Sequence, residues 1–172
     1  MVVFVNHSHG APSNADRIRP RTSILLAEDD KDDAFLIKRA LERVAKQSGV
    51  ILKVTHKTDG LEALAALQGC ETPDELPDTI VVDVNMPRMD GITFLHWLRG
   101  EPHFKFLHVA VLTTSAELTT RAAALSAGAD RFFVKPNHFH EMLTIASEIL
   151  TDRRFNLSKV PDFRQRSLRH NS

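Results

Sequence analysis

The sequence predicts a doubly wound α/β fold, a five-stranded parallel sheet covered by helices on both faces. Three observations lead there. Short β-rich runs alternate with helical runs five times along the chain. Three of the strand runs are unbroken apolar stretches, the pattern of strands buried on both faces. The strands end on polar residues, as they do where an open sheet presents its carboxyl edge to a crevice.

The first strand, Ile24-Leu25-Leu26-Ala27, halts at Glu28-Asp29-Asp30. The helix after it places Ala34, Ile37, Leu41 and Val44 on one face, at spacings of three and four. A weaker strand from Ile51 to His56 follows Gly49, and a short helix over 61–67 ends at Gly69. Pro73 and Pro77 mark 70–78 as a loop. Thr79-Ile80-Val81-Val82 is a third strand, ending at Asp83, and 91–98 is a helix stopped by Gly100. Val109-Ala110-Val111-Leu112 is the fourth strand, ending at Thr113-Thr114-Ser115. An Ala-rich helix over 117–127 closes at Gly128. Arg131-Phe132-Phe133-Val134 is the fifth strand, ending at Lys135-Pro136. Asn137 is expected to cap the last helix, whose face is Phe139, Met142, Leu143, Ala146, Ile149 and Leu150.

A chain of 172 residues, 42% hydrophobic and 26% charged, has room for one domain and modest tails. The expected division is a flexible tail at 1–21, a domain at 22–150 and an arm at 151–172. No apolar run approaches the ~18 residues of a membrane span. The apolar stretch at the N-terminus is too short for a signal peptide and has no basic residue before it. One cysteine, Cys70, excludes a disulfide framework and a thiolate metal cluster. A cytoplasmic protein is expected. Net charge is zero but unevenly spread: +2 over 1–21, +4 over 151–172, and so −6 in the body. An acidic body suits a metal site and argues against a nucleic-acid-binding core.

Glu28, Asp29 and Asp83 bring three carboxylates to one edge of such a sheet. Like charges that close need compensation, and a hard divalent cation such as Mg²⁺ supplies it through oxygen ligands. The backbone carbonyl of Asn85 is a further candidate ligand. A rigid carboxylate beside a metal can attack phosphorus, which makes Asp83 the candidate nucleophile. Lys135 offers a positive point charge and Thr113 a hydroxyl for a phosphoryl oxygen. Taken singly these residues are ordinary: the EDDKDD run matches the dipole of a helix start, and an Asp at a strand end often caps a loop. Their joint placement at the ends of the first, third, fourth and fifth strands is the signal.

The segments ILLAEDD, TIVVDVNMPRMDG, VLTTS and FFVKP resemble the motif set of the response-regulator receiver family over about 22–150. The separations, 30 residues from Asp83 to Thr113 and 22 from Thr113 to Lys135, match that family without gaps. The resemblance implies a CheY-like, flavodoxin-like sheet of order 2-1-3-4-5. It makes Glu28 and Asp29 the acidic metal pair, Asp83 the phosphoacceptor, Thr113 the switch hydroxyl and Lys135 the partnering lysine. It implies a Mg²⁺-dependent signalling protein rather than an enzyme with an external substrate, its partner a sensor histidine kinase. DDAFLIKRALE, VLTTS and the C-terminal tail look like the subgroup partnered with bacteriophytochrome kinases, whose members form homodimers. By the same resemblance Lys135–Pro136 is expected to be cis, and Phe132 to be the switch aromatic. Phe155, Leu157, Val160 and Phe163 make the arm a candidate homodimer element, since a purely solvating tail has few large apolar residues.

Two other readings compete. An aspartyl-nucleophile phosphatase or dehalogenase would use D-x-D, but Asn85 in the second position cannot do acid/base work. A phosphorylation-incompetent receiver would have lost an acidic residue, the Thr or the Lys, and none is lost. His138-Phe139-His140 reads as a surface pair at a helix start rather than metal ligands. Cys70 reads as a loop residue and Trp97 as helix packing.

Overall fold

A computed structural model describes residues 20–152. The arm residues Phe155, Leu157, Val160 and Phe163 lie outside the described residues, as do residues 1–19. Five strands, β1 (Arg21–Ala27), β2 (Ile51–Lys57), β3 (Thr79–Val82), β4 (His108–Thr113) and β5 (Arg131–Val134), alternate with five helices. The helices are α1 (Lys31–Gln47), α2 (Gly60–Gln68), α3 (Gly91–Gly100), α4 (Leu118–Ser126) and α5 (Phe139–Thr151). All strands are parallel, in the order β2-β1-β3-β4-β5. The order reverses between β1 and β3, and it is there that Ala27 pairs with Val82 and the two strands run on into Glu28 and Asp83.

The two-residue period of the strands sorts their side chains between two cores. Leu25, Ala27, Ile80, Val82, Val109 and Val111 face Leu67 of α2, Phe94, Leu95 and Leu98 of α3, and Ala124 of α4. Ile24, Leu26, Val81, Ala110 and Leu112 face Ile37 and Leu41 of α1 and Met142, Ala146 and Ile149 of α5. Central strands β3 and β4 are buried at every position, which is why they read as unbroken apolar runs. Edge strand β2 is only half-buried, which is why its sequence signal was weak.

Differences from the sequence reading have local causes. β1 begins at Arg21 and α5 runs through Thr151, because backbone pairing with Ile51 and helical hydrogen bonding continue past the apolar stretches. Pro73–Glu75 forms one 3₁₀ turn within the expected loop. His138, not Asn137, occupies the cap position of α5, and no side chain caps that helix. Instead the His138 carbonyl accepts from the amides of Glu141 (3.1 Å) and Met142 (3.3 Å). No peptide bond among the described residues is cis, so the expectation for Lys135–Pro136 is corrected to trans. Trans is the intrinsically favoured isomer even before proline, and with it Lys135 N–H donates to the Thr113 carbonyl (2.7 Å) while the side chain reaches the cleft. Trp97 packs against Phe104 with ring centroids 5.6 Å apart. His138 and His140 stack on each other, and His140 is exposed.

The turn from β3 into α3 is tight at one position. Gly91 N–H donates to the Val84 carbonyl (2.9 Å), and Asp90 caps α3 by accepting from Thr93 N–H (2.9 Å). A Cβ at Gly91 would overlap the Asp83 carbonyl oxygen and approach Val84 Cα to 3.1 Å. A Cβ on Gly100, at the far end of the same helix, would meet nothing within 4 Å. Chemical denaturation is therefore expected to show Gly91→Ala destabilised by roughly 1–3 kcal/mol, the cost of overpacking against backbone. Gly100→Ala is expected to be neutral or stabilised by up to about 1 kcal/mol through loss of unfolded-state entropy.

Candidate functional site

The carboxyl edge of the sheet gathers the residues singled out in the sequence. Glu28 leaves β1 fully buried, its N–H donating to the Lys57 carbonyl (2.9 Å). Its own carbonyl contacts His56 Nε2 at 2.8 Å. Glu28 Oε1 accepts from Asp30 N–H (3.3 Å), whereas buried Oε2 accepts from no neutral donor among the described residues. Asp83 leaves β3 with its N–H bonded to the Ala27 carbonyl (3.0 Å), so β1 and β3 set its position together. Its Oδ1 accepts from Val84 N–H at 2.7 Å. Oδ2 lies 3.4 Å from the Lys135 ammonium.

Glu28, Asp29 and Asp83 each present a carboxylate oxygen within 4.8 Å of the other two; Asp29 is exposed and the others buried. Burial pushes the Glu28 carboxyl up to about 7, against the opposing pull of Lys135. Burial would depress Lys135, but hydrogen bonds to Asp33 and Glu28 and the charge of Asp83 overcome it and raise its pKa well above the ordinary lysine value. One ammonium thus leaves the cluster short of positive charge. That deficit, and a donor set made of carboxylate oxygens, fit a hard divalent cation.

Thr113 is fully buried at the end of β4, its Oγ1 accepting from Ser115 N–H (3.4 Å). Asn85 is exposed in the bend after Asp83. Phe132 is buried in β5 on the α4 side, with the Arg121 guanidinium 5.5 Å from its ring centre.

Two residues were not foreseen. Asp33 accepts a 2.8 Å hydrogen bond from Lys135 Nζ, across 102 positions of sequence. It was hidden in EDDKDD, where every carboxylate could equally serve the helix dipole and no local signal singles Asp33 out. Arg88 takes a left-handed backbone (φ 61°) and pairs with Asp59, the cap of α2, and with Glu62. These pairs tie the loop after Asp83 to α2.

Comparison with known proteins agrees with this geometry. Residues 24–147 match the family model for the response regulator receiver domain. The chain is 33% identical over 130 residues to the transcriptional regulatory protein PrrA of Mycobacterium tuberculosis, a match covering 76% of this chain and 50% of PrrA. It therefore spans about half the length of that relative. The phosphorylated cyanobacterial phytochrome response regulator RcpA superposes with TM-score 0.66 at 29% identity, covering 75% of this chain and 91% of RcpA. The Mn²⁺-bound response regulator Rcp1 superposes with TM-score 0.65 at 27% identity, covering 81% and 99%. With its parallel 2-1-3-4-5 sheet and a family match over most of its length, this chain belongs to the response regulator receiver domain family.

Proposed function

We propose that this chain relays a signal by accepting a phosphoryl group on Asp83 from a sensor histidine kinase. The observation that carries the reading is the convergence of the Glu28, Asp29 and Asp83 carboxylates at the point where strand order reverses, with the Lys135 ammonium against two of them. In the step proposed, a carboxylate oxygen of Asp83 forms a bond to phosphorus as the bond to the donor imidazole nitrogen breaks, its electron pair remaining on that nitrogen. Asp83 Oδ1 is engaged by the Val84 amide, so Oδ2 is the oxygen that attacks. Lys135 meets the incoming charge, and the Thr113 hydroxyl donates to a phosphoryl oxygen. Glu28, Asp29, Asp83 and the Asn85 carbonyl are the residues that would hold Mg²⁺. When bound, that ion would neutralise charge on the carboxylates and the phosphoryl oxygens. As Thr113 turns toward the new group, Phe132 follows it and alters the surface offered by α4 and β5.

The finer reading is that the donor is a bacteriophytochrome-type kinase. Likeness to RcpA supports it, since that protein is a phytochrome response regulator. Phosphotransfer from a panel of purified, autophosphorylated kinases checks this: the bacteriophytochrome class is expected to transfer fastest, and equal or slower transfer from that class contradicts it.

Incubation with Mg²⁺ and acetyl phosphate, followed by intact mass, tests the acceptor. Wild type is expected to gain the mass of one phosphoryl group and Asp83→Asn to gain none while keeping its fold. Label that persists on Asp83→Asn places the acceptor elsewhere. Steady donor hydrolysis without a mass gain favours a hydrolase, and no reaction at all favours an inert receiver. Mg²⁺ is expected to raise the melting temperature of wild type by linkage, and Asp29→Ala to lose most of that rise. An undiminished rise in Asp29→Ala means the metal ligands are misassigned.

A further inference from the structure

Three carboxylates share one ammonium at this edge of the sheet, and they do not share it equally. Lys135 Nζ lies 2.7 Å from Glu28, 2.8 Å from Asp33 and 3.4 Å from Asp83. An ammonium has three N–H donors and no more, and this one is 6% exposed, so water does not readily supply alternatives. Three donors face three carboxylates, and the ammonium sits closer to Asp33, with a 2.8 Å hydrogen bond, than to Asp83, at 3.4 Å.

Asp33 is fixed where it stands. Asp30 caps α1, its Oδ1 accepting from the amides of both Asp32 and Asp33 at 2.9 Å. The next residue, Ala34, is buried against the sheet. The first turn of α1 is thus anchored on both sides of Asp33, and its carboxylate is carried to the cleft by the helix rather than by a mobile loop. The root of Lys135 is fixed as well, through its amide on the Thr113 carbonyl (2.7 Å).

We propose that Asp33 is a positioning residue that holds the Lys135 ammonium toward the α1 side of the cleft, nearer Asp33 than Asp83, so that phosphoryl transfer has to draw it across. The proposal rests on the reading of Asp83 as the phosphoacceptor. Neutralising Asp33 has two effects of the same sign. It frees a donor for the phosphoryl oxygen, and it removes a negative charge 2.8 Å from the ammonium that meets the anionic group. Asp33 is then a brake on phosphorylation, set by geometry.

The test uses the full chain with Asp33→Asn, which keeps the shape and loses the charge, and Asp33→Glu, which restores a carboxylate. Asp32→Asn removes the same charge from an exposed neighbour and separates positioning from bulk charge. In metal-free protein, the ¹H–¹⁵N signal of the Lys135 ammonium, assigned by its loss in Lys135→Arg, is expected to be protected in wild type, Asp33→Glu and Asp32→Asn. In Asp33→Asn it is expected to shift and exchange faster. At saturating Mg²⁺, Asp33→Asn is expected to be phosphorylated by acetyl phosphate on the order of fivefold faster, the scale of a partly exposed ion pair, with Asp32→Asn within about twofold of wild type. Equal acceleration by Asp33→Asn and Asp32→Asn overturns the proposal, as does a slowed or unchanged Asp33→Asn with an unmoved ammonium signal. A wild-type chain that takes no phosphoryl group overturns the reading of Asp83 and the proposal with it. A wild type that is labelled, with Asp33→Asn indistinguishable from it, overturns the proposal alone.

Discussion

The contact on which the cleft depends is the ammonium of Lys135 among carboxylates brought by three other elements. Glu28 follows β1, Asp83 follows β3, Asp33 lies in α1, and Lys135 follows β5. Each is placed by backbone hydrogen bonds of the sheet or by a helix cap, so the charges meet only when the strands are in register. A one-residue slip in a strand would turn its end to the opposite face. Register is in turn enforced by the two cores, whose residues alternate along every central strand. Packing fixes the charges; the charges contribute little to packing and strain it electrostatically, as the raised carboxyl of Glu28 shows.

The amino edge of the same sheet makes the contrast plain. There Arg99 donates to Asp130 (3.0 Å) and Arg131 pairs with Asp152 (2.9 Å). Buried His108 sits between the two acids, 3.3 Å from Asp130 and 3.6 Å from Asp152. Burial would raise the Asp130 carboxyl, but His108, the Val109 amide and Arg99 together hold it below the ordinary value. At that edge anions are matched by cations, which is what structural charge pairing requires. At the carboxyl edge Glu28, Asp33 and Asp83 share one lysine, and the carboxylate of Asp29 lies within 4.8 Å of those of Glu28 and Asp83. An unmatched cluster at a strand-order reversal is an arrangement suited to a ligand that brings positive charge.

Much of this was legible in the sequence because it is local. β3 and β5 were read to the residue, since burial on both faces in one case and flanking Asp130 and Lys135 in the other leave sharp edges. Asp83 and Lys135 followed directly from those edges, and Glu28, Asp29 and Thr113 from the polar ends of the first and fourth apolar runs. What was not legible is non-local or depends on small energy differences. The Lys135–Asp33 bond spans 102 residues, and nothing in EDDKDD distinguishes Asp33 from Asp30 and Asp32. The tie from Arg88 to Asp59 and Glu62 also joins separate elements. The start of α5 was misread by one residue because a capping preference for Asn is worth only about 1 kcal/mol and backbone carbonyls served instead. The isomer at Lys135–Pro136 was misread for a similar reason, the intrinsic difference before proline being only about 0.5–1 kcal/mol.

A cleft under-compensated without a cation makes the stability of metal-free protein depend on pH. Glu28 titrates near 7 in the folded chain and at its ordinary 4.5 when unfolded. The stability it lends is then fully present below the unfolded value and lost as pH rises through about 7. Denaturation of wild type and Glu28→Gln in the presence of a chelator is the measurement. Similar stability is expected at about pH 4, Glu28→Gln is expected to be more stable than wild type at about pH 8, and Mg²⁺ is expected to close that gap by stabilising wild type alone. A wild type that matches or exceeds Glu28→Gln at about pH 8 without metal would contradict an under-compensated cleft.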